Sequence, residues 1–80
     1  TLKTKKMKAK ETIDGYTFEY NEEHKFYEAR GDVFYDEEHD EMPDPSLWLA
    51  AQKLAKKLRS EGIKADATWS EKGWVEVCIN

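Results

Sequence analysis

The sequence predicts a small α+β domain, with one helix packed on one face of a mostly antiparallel five-stranded sheet in the order βββαββ. Three observations carry this reading. Aromatic runs that alternate with polar residues fill the first half of the chain. One amphipathic helix with recognisable caps follows. A second pair of alternating runs closes the chain and reads as a hairpin. Eighty residues suit a single domain, near the lower end of what folds without staples. Three Trp, four Tyr and three Phe, together with the aliphatic residues, fill the core between one sheet and one helix. They leave little room for a deep substrate cavity.

Strand one is expected over residues 12–20, where Tyr16, Phe18 and Tyr20 alternate with Thr17 and Glu19. Asn21 then opens a polar turn, and strand two is expected over residues 25–30. Gly31-Asp32 reads as a tight connection into strand three over residues 33–36. Pro43 and Pro45 argue against any further strand before the helix. The helix itself is expected over residues 45–61, with Asp44 as N-cap, Pro45 at the first helical position and Gly62 in the left-handed position past the end. Leu47, Ala51, Leu54, Ala55 and Leu58 share one stripe, with Trp48 at its border. Lys53, Lys56, Lys57 and Ser60 lie opposite, and Leu49 falls on that basic side.

The register of the last hairpin follows from its two apolar sets, Ile63, Ala65, Ala67 and Trp69 against Val75, Val77 and Ile79. Direct pairing of Trp69 with Trp74 sends those sets to opposite faces. A turn at Ser70-Glu71-Lys72 with Gly73 as a G1 bulge pairs Trp69 with Val75 and puts both sets on the helix side. Trp74 is then left on the open face.

The most informative local feature is a repeat. Tyr20-Asn21-Glu22-Glu23-His24 recurs as Tyr35-Asp36-Glu37-Glu38-His39. Each copy follows a strand-like run, so each reads as the polar exit of a strand. In a meander, strands one and three run parallel, which predicts that both copies lie at the same end of the sheet.

Charge is strongly segregated. Residues 1–10 carry five lysines and no acid, and read as a basic, flexible tail preceding a domain over residues 11–80. Residues 11–45 carry thirteen acids against Lys25 and Arg30, and residues 46–80 carry six bases and four acids, for a net −4 overall. Such asymmetry bears on partners rather than on fold.

Cys78 is the only cysteine, which rules out an intrachain disulfide and a four-cysteine zinc site. Together with the lack of a membrane-length apolar run or a signal-peptide core, it points to a cytoplasmic protein. No Gly-rich phosphate loop, nucleophile elbow or Cys-x-x-Cys is present, so the chain reads as a non-enzymatic protein that needs no cofactor.

The acidic stretch gives the leading functional expectation. A partner-binding face is expected from Tyr20, Glu22 and Glu23 in the first copy, and from Tyr35, Asp36, Glu37, Glu38, Asp40 and Glu41 in and after the second. Rows of carboxylates imitate phosphates and attract a basic protein, including one that itself binds nucleic acid. Aromatic residues among them (Tyr20, Phe26, Tyr27, Tyr35) supply anchors. The expectation is a small interaction or inhibitor module, of the kind that phages and mobile elements encode. One alternative is a nucleic-acid-binding surface built from Lys53, Lys56, Lys57 and Arg59 with the basic tail, and with Trp74 for base stacking. Another is a His/carboxylate metal site at His24 and His39, although their spacing fits no metal motif.

Overall fold

A computed structural model describes residues 7–35, 37–38, 41–69 and 73–80. One helix, α1 (Pro45–Ser60), packs on one face of a five-stranded antiparallel sheet formed by β1 (Lys10–Ile13), β2 (Tyr16–Asn21), β3 (Phe26–Arg30), β6 (Ala65–Trp69) and β7 (Trp74–Ile79). The strand order is β1-β2-β3-β7-β6. A separate two-stranded ribbon pairs β4 (Val33–Phe34) with β5 (Met42–Pro43).

The expected βββαββ order therefore holds for the sheet, but its first three strands are drawn differently. The run expected as strand one is two strands. Asp14 (φ 52°) and Gly15 (φ 86°) both adopt positive φ. They close a two-residue hairpin in which Ile13 faces Tyr16, and the twist of such a turn matches that of the flanking strands. Ile13 thereby joins Tyr16, Phe18 and Tyr20 on the helix side, although its odd position in a single strand points the other way.

The expected strand three leaves the sheet. β3 pairs with β7, bringing Arg30 opposite Trp74 and Phe26 opposite Cys78, so residues 33–36 have no place beside strand two. Val33 and Phe34 pair instead with Pro43 and Met42. Pro43 does not stop this strand because of where its missing N–H falls. The Asp44 N–H donates to the Asp32 carbonyl at 3.2 Å. The next pair, Val33 and Pro43, is therefore one that exchanges no hydrogen bond. Gly31 is not needed for a tight turn either. A Cβ there meets Leu47 Cδ2 at 2.8 Å, so glycine lets the chain pass over the first turn of the helix.

The helix and the last hairpin follow expectation. The Asp44 carboxylate accepts from the Ser46 N–H at 2.9 Å. At the other end Gly62 has φ 86°, the Gly62 N–H donates to Arg59 O, and the Ile63 N–H donates to Leu58 O, both at 3.0 Å. This is the Schellman arrangement, which satisfies carbonyls the helix leaves open. Trp69 pairs with Val75, and Gly73 has φ 82°. The turn residues 70–72 lie outside the described residues.

Phe18, Tyr27, Leu47, Leu54, Leu58, Val75 and Val77 are fully buried between sheet and helix. Each such side chain contributes ~1.5–3 kcal/mol of hydrophobic stabilisation. The stripe residues Ala51 and Ala55 are buried with them, Trp48 lies half-buried at the border, and Leu49 is exposed. Glu11 is also buried, pointing inward from β1, where it accepts from Lys57 Nζ at 2.9 Å. That hydrogen bond is the main cause of a raised Lys57 pKa. Of the expected basic tail, residues 7–10 are docked. Met7 packs on the core, Lys8 O accepts from the Tyr27 hydroxyl at 2.8 Å, and Ala9 O accepts from the Tyr20 N–H at 2.8 Å. Residues 1–6 lie outside the described residues. Among those described, no helix is long and apolar enough to cross a membrane.

Candidate interaction surface

The two copies of the repeat do not share an end of the sheet. β2 runs towards the turn at residues 22–25, and β3 runs back from it. The first copy therefore sits at one end, beside the helix C-terminus. The chain leaves β3 at the opposite end, next to the helix N-terminus, and enters β4 there. β5 returns antiparallel to β4, and the segment joining them carries the second copy.

The first copy is folded against the body of the protein. Asn21 Oδ1 accepts from the His24 N–H at 3.0 Å, and Asn21 O accepts from the Lys25 N–H at 2.8 Å. Lys25 takes φ 58° to complete the turn. Tyr20 is half-buried on the helix side, its ring centroid 4.9 Å from that of Tyr27. The His24 ring stacks on Phe26 at 5.9 Å. Glu22, Glu23 and His24 are exposed. Tyr27, expected among the surface anchors, is fully buried instead. Its pKa is pushed up to about 12, first by burial and then by the nearby Glu11 carboxylate.

The described residues of the second copy are exposed. Val33, Phe34 and Tyr35 follow one another along the ribbon with 37%, 43% and 76% of their surface exposed. Glu37 and Glu38 are exposed, and Glu41 is half-buried at the return. Asp36, His39 and Asp40 lie outside the described residues. Of the face expected from the sequence, then, Tyr35, Glu37, Glu38 and Glu41 belong to the segment between β4 and β5, while Tyr20, Glu22 and Glu23 belong to the far end. The ribbon adds Val33 and Phe34, which the sequence reading assigned to a sheet strand.

The alternative basic surface is divided. Lys53 Nζ lies 2.7 Å from Asp14 Oδ2 and Lys57 Nζ 2.9 Å from Glu11 Oε1. Lys56 and Arg59 are exposed on the helix. Trp74 is on the opposite face of the sheet, with the Arg30 guanidinium 3.8 Å from its ring centroid, a cation–π contact. Among the described residues no group of His, Cys, Asp and Glu is placed to hold a metal ion; His39, the second histidine of the expected pair, lies outside the described residues.

The open face of the sheet carries a feature that the sequence did not disclose. Glu19 pairs with Glu28, and Glu28 with Glu76, so three carboxylates face one another across β2, β3 and β7. Lys10 reaches Glu19 from β1 at 3.8 Å. Alternation alone puts each glutamate on this face, but the row forms only because β7 lies beside β3. Cys78 is half-buried on the same face. Burial, then Glu76 and Asp66, push its thiol pKa up, which disfavours the thiolate that nucleophilic chemistry needs.

Comparison with protein-family models, curated proteins and solved structures finds no match.

Proposed function

We propose that this protein is a non-enzymatic interaction module that binds a basic partner protein through the β4–β5 ribbon. The observation that carries the reading is the exposure of Val33, Phe34 and Tyr35 in succession on a ribbon separate from the main sheet, whose connection also holds Glu37, Glu38 and Glu41. Exposed aromatic residues are suited to fill pockets on a partner, where desolvated aromatic anchors supply most of the binding energy. The carboxylates add long-range attraction to a positive surface, which speeds encounter and rejects acidic partners. A basic, nucleic-acid-binding protein fits this chemistry, and occupation of its phosphate-binding surface makes the module an inhibitor.

Support over the nucleic-acid reading comes from the ion pairs of Lys53 and Lys57 and from the placement of Trp74 behind the sheet. The test is affinity capture from native-host extract with immobilised protein, at low and high salt. The reading expects a basic protein retained by the wild type, weakened by salt and lost with Tyr35→Ala. Direct retention of DNA or RNA that depends on Lys56 and Arg59 contradicts it.

A further inference from the structure

The two edges of the sheet are built differently. At β1 the edge is guarded. Lys10 stands on it, and the buried Glu11 points inward to a half-exposed Lys57. Charges on an edge strand and inward-pointing charges both discourage another strand from adding there. At β6 the edge carries a single charge, Asp66, whose carboxylate accepts from Asn80 Nδ2 at 3.0 Å on the open face; it has no proline, no lysine and no inward charge, and among the described residues no strand pairs with its outer side.

The hydrogen-bond pattern shows which groups that outer side presents. The Asn80 N–H donates to Lys64 O at 2.9 Å, so Lys64 and Asn80 form a bonded pair. By alternation, Asp66 and Thr68 direct their backbone groups to β7, and Ala65 and Ala67 direct theirs outward.

We infer that β6 pairs antiparallel with β6 of a second copy of this chain, about a two-fold axis at Ala67. Ala67 then exchanges both backbone hydrogen bonds with Ala67 of the second copy. Ala65 lies opposite Trp69 of the second copy, a small residue facing a large one on the helix side. Asp66 lies opposite Thr68 of the second copy on the open face. Neighbouring registers are worse. A shift of the axis to Asp66 sets two aspartates directly opposite each other, which is destabilising. A shift to Thr68 moves Ala65 off the end of the partner strand. The chosen register is the one that pairs all of β6, and two five-stranded sheets then form one continuous sheet across an isologous interface. The interface is short, and the dimer is correspondingly concentration-dependent.

Sedimentation equilibrium over a range of protein concentrations tests this, with circular dichroism to check folding. The wild type is expected to approach twice its 9.4 kDa mass as concentration rises. Ala67→Pro removes an N–H that no intrachain strand uses, a place where an edge tolerates proline. It should raise the dissociation constant about tenfold or more, because one central hydrogen bond is lost from each protomer. Thr68→Lys and Thr68→Asp guard against misfolding of the proline variant. Facing Asp66 of the second copy, lysine should tighten the dimer and aspartate weaken it. A wild type that stays monomeric to its solubility limit overturns the inference, including the case in which the edge serves another protein's strand. So does a dimer indifferent to all three substitutions.

Discussion

The two copies of the repeated segment differ in three things that their sequences do not show: where they sit, what they touch and how much of them solvent reaches. In the first, Tyr20 lies against Tyr27 over the core, and the turn is closed by Asn21. In the second, Tyr35 is 76% exposed on a ribbon that leaves the sheet. The difference arises at residues 30–32. β3 is already flanked by β2 and β7, so the chain has no edge of β3 to add to; it passes Gly73, where the Gly31 N–H donates to Gly73 O at 3.0 Å, and pairs in a separate ribbon. Nearly identical pentapeptides thus become a structural cap in one place and the proposed binding element in the other. What separates them is the topology around them.

Four experiments break or sharpen this contrast. The largest effect comes from the core that both copies depend on. Leu54→Ala should cost ~2–5 kcal/mol, a large share of the ~5–15 kcal/mol typical of a whole domain, and chemical denaturation should show both ends of the molecule lost together.

Gly73→Val should come next and act on the second copy first. Its φ is +82°, and a Cβ there meets Gly31 O at 2.7 Å and Val33 Cγ2 at 3.2 Å. Strain and backbone displacement together should cost about 3 kcal/mol. Amide exchange should rise at Val33 and Phe34 before it rises at the first turn.

Alkaline titration addresses the first copy. The folded pKa of Tyr27 is about 12, against about 10 in an unfolded chain. The raised value favours the protonated phenol in the folded state. Its contribution is therefore complete below pH ~10 and falls as pH rises from there through ~12, because the unfolded chain releases its proton first. Stability should drop by about 2 kcal/mol across that window, and Tyr27→Phe should reduce the pH dependence.

Much of the fold was legible in the residues. Asp44, Pro45 and Gly62 bound the helix because caps are local chemistry, and the conflict between Trp69 and Trp74 fixed a bulged hairpin because a one-residue slip turns a whole strand over. The Asp14-Gly15 turn had a signal as well, a dipeptide suited to a two-residue hairpin, with Ile13 out of phase in a single strand. The alternation of Tyr16, Phe18 and Tyr20 masked it. The ribbon was harder to read. Val33, Phe34 and Tyr35 have the composition of a buried strand, and residue type cannot distinguish an apolar run that enters a core from one left exposed. The glutamate row across β2, β3 and β7 was hidden for a different reason, since it depends on which strands are neighbours, and that order is set by the whole sheet.

The most direct test reverses charge in one copy at a time. Glu22 and Glu23 are changed to Lys in one variant, and Glu37 and Glu38 in another, and association rates with the captured basic partner are measured at low salt. Both variants should keep wild-type stability within about 0.5 kcal/mol, as exposed charges usually allow. Reversal in the second copy should slow association by about tenfold or more and flatten its salt dependence, while reversal in the first should leave the rate nearly unchanged. Equal effects from the two copies, or a larger effect from Glu22 and Glu23, contradict the assignment of the ribbon as the working surface.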